Sequence, residues 1–176
     1  MILPLVYYGN SFLRKKCLPI KEIKEEIKEL AANMIETMDA YNGVGLAAIQ
    51  VGVLLQLLVI RPEVVTSAGE YALGNPEIYI NTVLTLPSEK TEIMREGCLS
   101  LPGIRADVQR PISVHVEALD INGNRISETF TGFKARQIMH ENDHLHGTLF
   151  IDRALPEQKK ALDLELRELK RRLKQG

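Results

Sequence analysis

The sequence contains no tryptophan and only two cysteines among its 176 residues. Cys17 and Cys98 could form at most one disulfide, so a disulfide-stapled secreted domain is excluded and both thiols are predicted to be reduced. Apolar runs stay well short of the roughly 18 residues of a spanning helix, and the first basic cluster follows the first apolar stretch, the reverse of a signal peptide. We therefore expect a cytoplasmic chain that does not enter a membrane, or an organellar one if a targeting segment has been removed.

An excess of charge of either sign is missing as well. The 22 Lys and Arg residues nearly balance the 23 Asp and Glu residues, so the net charge of -1 supplies no electrostatic reason to bind nucleic acid. With 45% hydrophobic and 26% charged residues the composition is that of an ordinary globular domain, and we expect one domain over residues 1–176. A chain of this length buries enough surface to be stable without a structural ion. A metal, where one binds, is therefore expected to serve chemistry.

Hydrophobic periodicity predicts three helices. Apolar residues recur mostly every three or four positions over residues 20–40, which predicts an amphipathic N-terminal helix. A second helix is predicted to begin after Gly132 and to run to Gly147, and a third to begin at Pro156 and to run to near the C-terminus. In the third, residues 156–176 contain seven Lys and Arg residues and four Asp and Glu residues, a net charge of +3. Its apolar face is a leucine stripe at residues Leu162, Leu166, Leu169 and Leu173.

Strands are predicted in the middle of the chain. Between Val51 and Asp120, β-branched runs alternate with turn residues. The Asn122-Gly123 pair predicts an antiparallel hairpin of residues 112–120 and 125–131, because so short a turn cannot connect parallel strands. Segregated strands and helices, without repeats or a long linker, predict an α+β fold.

The string His140-Glu141-Asn142-Asp143-His144 lies in the second predicted helix. Histidines at i and i+4 share one helix face, so both imidazoles could bind one divalent ion while Glu141 takes a proton from water at that ion. The simpler interpretation is two surface histidines on an amphipathic helix. The apolar residues that follow argue against it, since they indicate that the helix runs into the core.

A catalytic ion normally takes three protein ligands and leaves one position open. Downstream, His146 is rotated to another helix face and the acidic residues lie beyond the helix or on a solvated face. Upstream, Cys98 lies in the Gly- and Pro-containing stretch EGCLSLPG, and its thiolate could be the third ligand. A buried, purely structural cysteine is the alternative.

The stretch GVGLAAIQ, residues 43–50, is rich in small residues and ends in Gln50, a lone amide among apolar neighbours. Small residues allow the backbone to approach a partner closely, and a buried amide needs hydrogen-bond partners. It is not a phosphate loop, because the dinucleotide spacing and the Walker lysine are both missing.

Together, GVGLAAIQ, EGCLSLPG and HENDHLHG closely resemble the three motifs of the peptide deformylases, in the same order and over essentially the whole chain. The resemblance implies that Cys98, His140 and His144 hold the metal and that Glu141 is the catalytic acid and base. It implies that Gln50 and the backbone amide of Leu99 stabilise the oxyanion. Met139 replaces a glutamine common in the family, but on a helix it points about 100° away from His140, so ligation is expected to survive.

The resemblance also implies the fold and the reaction. The fold is expected to consist of antiparallel β-sheets packed around a central metal-binding helix, with an amphipathic N-terminal helix and a C-terminal helix. The reaction is removal of the formyl group from the N-terminal formyl-methionine of new polypeptides in protein biosynthesis. The implied native ion is Fe2+, and Zn2+, Ni2+ or Co2+ could also occupy the site.

Substrate residues are predicted around this centre. Val44, Gly45, Arg136 and Gln137 are candidates for the walls of a methionine slot, and Arg105 matches a position that lines the peptide channel in the family. The basic end of the C-terminal helix either stays solvated or docks on the ribosome, while no membrane and no sequence-specific nucleic acid partner is expected. A zinc endopeptidase and a metal-free binding module are the competing hypotheses.

Overall fold

A computed structural model of the chain describes residues 1–175. It contains three α-helices, which are α1 (Glu25–Ala40), α2 (Gly132–Leu145) and α3 (Lys159–Lys174). Its strands are β1 (Gly45–Ala47), β2 (Leu57–Ile60), β3 (Glu63–Val65), β4 (Tyr71–Leu73), β5 (Glu77–Thr85), β6 (Thr91–Cys98), β7 (Leu101–Pro111), β8 (Ser113–Leu119) and β9 (Arg125–Thr131). Short 3-10 helices cover Ser11–Arg14, Ala48–Val51, Phe150–Arg153 and Pro156–Gln158.

The strands form three antiparallel sheets. The largest has the order β1-β2-β5-β8-β9, and the other two are the β3–β4 and β6–β7 hairpins. The predicted hairpin is confirmed, because β8 pairs with β9 from Ser113 opposite Thr131 to Leu119 opposite Arg125. Asp120 closes its turn by accepting hydrogen bonds from the backbone amides of Asn122 and Asn124. The predicted α+β class with antiparallel sheets is confirmed.

Helix α2 lies at the centre, between the large sheet and the β6–β7 hairpin. On one side Ala135, Ile138 and Met139 belong to a core cluster with residues of the large sheet such as Leu58 and Val116. On the other side His140 Nδ1 lies 2.9 Å from Glu96 Oε1 of β6. The helix ends at Leu145, two residues before the predicted end at Gly147, with His146 as its C-cap.

Helix α1 begins at Glu25, five residues later than the periodicity predicted. Asn81 is the reason: its side chain accepts from the Ile20 amide and donates to the Ile20 carbonyl, both at 2.8 Å. This arrangement ties the backbone of Ile20 to β5 outside the helix, while its side chain still packs in the core beneath α1. Within the helix Met34 and Met38 are fully buried against that core.

Helix α3 packs as the leucine stripe predicted, with Leu162, Leu166 and Leu169 buried and Leu173 packed against the same cluster. It begins at Lys159, after the 3-10 turn that Pro156 initiates. The β6–β7 hairpin, which shares that cluster through Ile104 and Val108, was not predicted as a pair of strands. None of the helices within residues 1–175 combines the length and the apolarity that crossing a bilayer requires.

Candidate active site

Three potential metal ligands converge where α2 meets the end of β6. The ligand atoms of Cys98, His140 and His144 all lie within 4.8 Å of one another. Cys98 is brought there by the tight turn at residues 99–100 that reverses the chain from β6 into β7, whereas the two histidines lie one turn apart on α2. The structure therefore brings together the three residues that the sequence analysis named.

The donor set fits a divalent cation. Cys98 Sγ lies 3.4 Å from His144 Nε2, close to the separation of two ligands whose bonds to one ion are about 2.0–2.3 Å long. The pKa of His144 is lowered well below its usual value by burial, so the imidazole is neutral, as a ligand must be. His144 Nδ1 is buried with no hydrogen-bond partner among the described residues. A cation bound by one cysteine and two histidines would keep a further position for water or substrate.

Glu96 fixes the orientation of His140. Its carboxylate accepts hydrogen bonds from Arg110 Nε at 2.7 Å and Arg136 Nη1 at 2.6 Å, and faces His140 Nδ1 at 2.9 Å. Burial alone would raise the pKa of Glu96, but hydrogen bonds from His140 and Arg110 outweigh it and lower the pKa to about 2. Glu96 is therefore a buried anion that holds the Nδ1 proton of His140 and leaves Nε2 facing the ligand cluster.

The carboxyl group of Glu141 lies beside this cluster. Its Oε1 is 3.9 Å from His140 Nε2, and its Oε2 is buried without a hydrogen-bond partner in the described part of the chain. Burial raises the pKa of Glu141 to about 7. Gly45 makes room for this carboxyl, because a Cβ at Gly45 would collide with it. A group of this kind can accept and return a proton near neutral pH.

Gln50 reaches the same centre from the 3-10 helix that follows β1. Its Oε1 accepts from the Ala47 amide at 2.8 Å, and its Nε2 donates to Ser100 Oγ at 3.1 Å and to Cys98 Sγ at 3.3 Å. The side-chain amide of Gln50 is thus buried. Its Oε1 is fixed by the hydrogen bond from Ala47, and its Nε2 is directed at the ligand cluster. Leu99, whose backbone amide was predicted to act with Gln50, lies in the adjacent turn between β6 and β7.

A cavity of about 610 Å³ opens over these groups. All five predicted substrate residues line it: Val44, Gly45, Arg105, Arg136 and Gln137. They differ in what their side chains do. Arg136 is fully engaged by Glu96, Val108 O and Glu92 O, and the Gln137 amide donates to Val44 O and Arg61 O. These two side chains therefore fix the walls of the cavity, whereas Arg105 is exposed.

Five other residues near this region lie outside the ligand cluster. His146 contacts the carbonyl oxygen of Asn142, and His115 contacts two strand hydroxyl groups at the surface. Asp143 accepts hydrogen bonds from Arg110 and Arg153. Cys17 is a free, buried thiol whose pKa burial raises to about 11. Met139 packs in the core, away from the ligands.

Sequence reasoning missed several residues of this site. Glu96 was quoted within its motif but not singled out, although its position two residues before Cys98 was the available signal, because side chains at i and i+2 of a strand share a face. Tyr7, Tyr41 and Arg95 line the cavity from three separate segments of the chain. Nothing in the local sequence of these three indicated a shared cavity.

A cysteine and two histidines that could hold a cation, with a buried carboxyl beside them and an amide donor directed at the same point, are the parts of a metal-dependent hydrolase. Comparison with known proteins specifies which one. The family model described as Polypeptide deformylase matches residues 2–160. A peptide deformylase from Methylacidiphilum infernorum (isolate V4) is 44% identical over 180 residues, covering 97% of this chain and 94% of the relative.

Solved structures agree. A variant of peptide deformylase 1B from Arabidopsis thaliana superposes with a TM-score of 0.89 at 36% identity, covering 98% of this chain and 92% of that one. Peptide deformylase from Ehrlichia chaffeensis gives a TM-score of 0.88 at 32% identity, covering 99% and 98%. The chain belongs to the peptide deformylase family, and its activity is the metal-dependent removal of the formyl group from N-formyl-methionyl polypeptides.

Proposed function

We propose that Cys98, His140 and His144 hold a single divalent ion and that Glu141, Gln50 and Leu99 carry out the deformylation with it. The convergence of the three ligand atoms within 4.8 Å carries this proposal. When bound, the ion supplies Lewis acidity to water and to the formyl carbonyl group. The orientation of His140 by Glu96 supports the assignment, because a ligating histidine usually donates its other ring N–H to a carboxylate.

Glu141 moves the proton in this proposal. Its carboxyl group takes a proton from the attacking water and returns one to the nitrogen of the leaving amine, so that formate and a free N-terminus are the products. Burial keeps bulk water from competing for that carboxyl, since Glu141 is only 5% exposed. Its Oε1, which lies 3.9 Å from His140 Nε2 on the side of the ligand cluster, is proposed as the oxygen that takes part in the transfer.

Gln50 and Leu99 stabilise negative charge on the former formyl oxygen. The acceptor end of Gln50 is fixed by the Ala47 amide, so Nε2 is held in place before substrate arrives. A donor prepared in this way contributes about 3–4 kcal/mol to comparable transition states. The backbone N–H of Leu99, in the turn after Cys98, is proposed as the second donor.

Formylated peptide is proposed to lie in the cavity, with Val44, Gly45, Arg105, Arg136 and Gln137 forming its walls. Strand β1 pairs with β2 on one edge only among the described residues, so its other edge is available to an extended peptide. Backbone pairing at such an edge gives affinity with little sequence selectivity. This suits an enzyme that processes many different chains.

The ligand assignment is tested with Cys98→Ser. We expect this variant to lose tightly bound metal, measured by elemental analysis, together with formate release from a formyl-Met peptide, because serine is a much poorer soft ligand. Cys17→Ala removes the other thiol, which is not part of the ligand cluster, and should keep both. A Cys98→Ser variant with full metal content and full activity would contradict the assignment.

We propose Fe2+ as the native ion, as the family resemblance implies, with Zn2+, Ni2+ or Co2+ as possible replacements. Thiolate ligands are open to stepwise oxidation, so activity of the iron form should fade in air. Protein loaded with each ion in turn under anaerobic conditions should give the highest formate release with iron. A zinc form that matches the iron form would make the choice of iron wrong.

We also propose that the basic end of α3 docks on the ribosome and that the enzyme acts in the cytoplasm where formylated chains are made. Four cationic residues lie there: Lys170, Arg171, Arg172 and Lys174. Ribosome co-sedimentation of the Arg172→Gln, Lys174→Gln double variant should be weaker and less dependent on salt, since fewer counterions are released. Lys159→Gln, Lys160→Gln at the other end of α3 is the matched control. Equal binding by both variants would leave α3 a packing role only.

A further inference from the structure

The mouth of the cavity carries two arginines that have no partner in the protein. Arg95 of β6 and Arg105 of β7 both line the cavity and are both exposed. Within residues 1–175 neither guanidinium forms an ion pair or a hydrogen bond, although most other arginines in the chain are paired with carboxylates.

The register of the hairpin places these arginines along one wall. Gly97 lies opposite Arg105, and Arg95, two residues before Gly97 on the same strand, lies opposite Asp107. Side chains two positions apart on a strand point to the same face. Gly97 has no side chain, and the Arg105 guanidinium lies where a Cβ of residue 97 would be. Arg105 therefore folds across β6 next to Arg95, and both positive charges lie on the same side of the hairpin.

The other charged groups of the cavity do not neutralise this wall. Glu96 is buried and bound to Arg110, Arg136 and His140, so its charge is already matched. Glu141 is buried beside the ligand cluster. Asp107, the cross-strand neighbour of Arg95, accepts from Gln158 Nε2 at 2.8 Å and makes no ion pair with Arg95. The mouth therefore presents a net positive charge to an incoming peptide.

We propose that Arg95, together with Arg105, makes the enzyme favour formylated chains with an acidic residue at the third position. The inference rests on the proposed function, because the ligand cluster fixes where the formyl group lies. An extended peptide advances about 3.3 Å per residue, so the second and third residues lie roughly 6–10 Å from the formyl carbon. Arg95 precedes the ligand Cys98 by three strand residues, about 10 Å, which is the matching distance.

The test compares three formylated peptides that are identical except for glutamate, glutamine or lysine at the third position. We expect kcat/KM for formate release at low salt to be about tenfold higher for the glutamate peptide than for the lysine peptide, since two surface charges act on each side chain. In Arg95→Glu the ratio should fall to about one, and in Arg95→Gln it should be intermediate. Arg125 is an exposed arginine of β9, at the edge of the large sheet away from β1. Arg125→Gln changes the net charge by the same amount as Arg95→Gln and should keep the wild-type ratio.

Salt gives a second measurement on the wild-type enzyme. At about 1 M salt the Debye length shrinks to about 3 Å, so the preference for the glutamate peptide should largely disappear. Equal kcat/KM for the three peptides at low salt, or the same ratio in Arg95→Glu as in the wild type, would overturn the inference while leaving deformylation intact. Loss of hydrolysis of all three peptides by the metal-loaded wild type would instead contradict the proposed function.

Discussion

Helices α2 and α3 have similar lengths but bury different kinds of side chain. Of the residues in α3, only Leu162, Leu166 and Leu169 are buried, so one apolar stripe is enough to attach it. Helix α2 buries five polar or charged side chains in 14 residues: Arg136, Gln137, His140, Glu141 and His144. Burying such groups is unfavourable unless they find partners, and Arg136, Gln137 and His140 find theirs on other elements.

The two helices show how stability and chemistry are distributed in this fold. A leucine on α3 needs only apolar neighbours of suitable size, and several packing arrangements would serve. Arg136 on α2 needs Glu96, Val108 O and Glu92 O at fixed positions on the β6–β7 hairpin. The catalytic helix is therefore positioned by specific polar contacts, whereas the C-terminal helix is held by apolar area.

Removal of the Glu96 side chain should have the largest effect on the packing of α2 against the β6–β7 hairpin. In Glu96→Ala the buried cations Arg110 and Arg136 lose their shared carboxylate, and we expect a loss of about 3–5 kcal/mol in the free energy of unfolding. Urea denaturation of the metal-free protein measures this without interference from ion binding. Glu92→Ala, an exposed residue of the same strand, is the control. A cost no larger than that of the control would mean that polar contacts do not position α2.

Glu141→Gln should separate chemistry from structure on α2. The amide keeps the shape of the side chain but cannot accept a proton, so kcat should fall by about 10³-fold, within the range of general acid–base effects, while the metal stays bound. Stopped-flow formate release and elemental analysis of the same sample give both quantities. Loss of metal from this variant would make Glu141 a ligand and the proposed mechanism wrong.

Truncation of Leu169 should give the ordinary cost of an apolar contact. Leu169 is 1% exposed, and Leu169→Ala should reduce the free energy of unfolding by about 2–4 kcal/mol through lost burial and a cavity. Its matched control is Leu164→Ala on the outer face of α3, where a residue 65% exposed should cost less than about 0.5 kcal/mol. With the polar contacts of α2 intact, kcat should stay near the wild-type value in both variants. A large fall in kcat in a Leu169→Ala variant that remains folded would contradict this expectation, because it would show that α3 affects catalysis.

The same contrast explains which features the sequence could predict. Three features depend on residues that are close in sequence, and each was predicted. They are the leucine stripe that begins at Leu162, the Asn122-Gly123 hairpin and the paired histidines of α2. Glu96 was not, because its partners Arg110, Arg136 and His140 lie 14, 40 and 44 residues away and no local pattern records them. The predicted start of α1 near residue 20 was wrong for a similar reason, because Asn81, which binds the backbone of Ile20, lies 61 residues away in the sequence.

The β6–β7 hairpin escaped prediction because it carries functional residues rather than a regular alternation. In β6 the buried position is Glu96, a charged residue, and the outer positions include Ile93, which is 53% exposed. This inverts the usual pattern of a strand with apolar residues inside. The metal site could be predicted from the resemblance of three motifs, whereas the charges that support it could be found only from the fold.

The interface between α2 and the β6–β7 hairpin, called the seam below, also affects how fast α2 opens to solvent. Cys98 lies on one side of this seam and His140 and His144 on the other, so a cation held by all three fastens two parts of the chain that fold from segments about forty residues apart. Local opening that separates α2 from the hairpin would move Cys98 away from the two histidines and would expose the amides of α2 to exchange with solvent. A cation bound by all three would therefore add its binding free energy to the cost of opening this interface, and the amides of α2 should exchange more slowly when the cation is present.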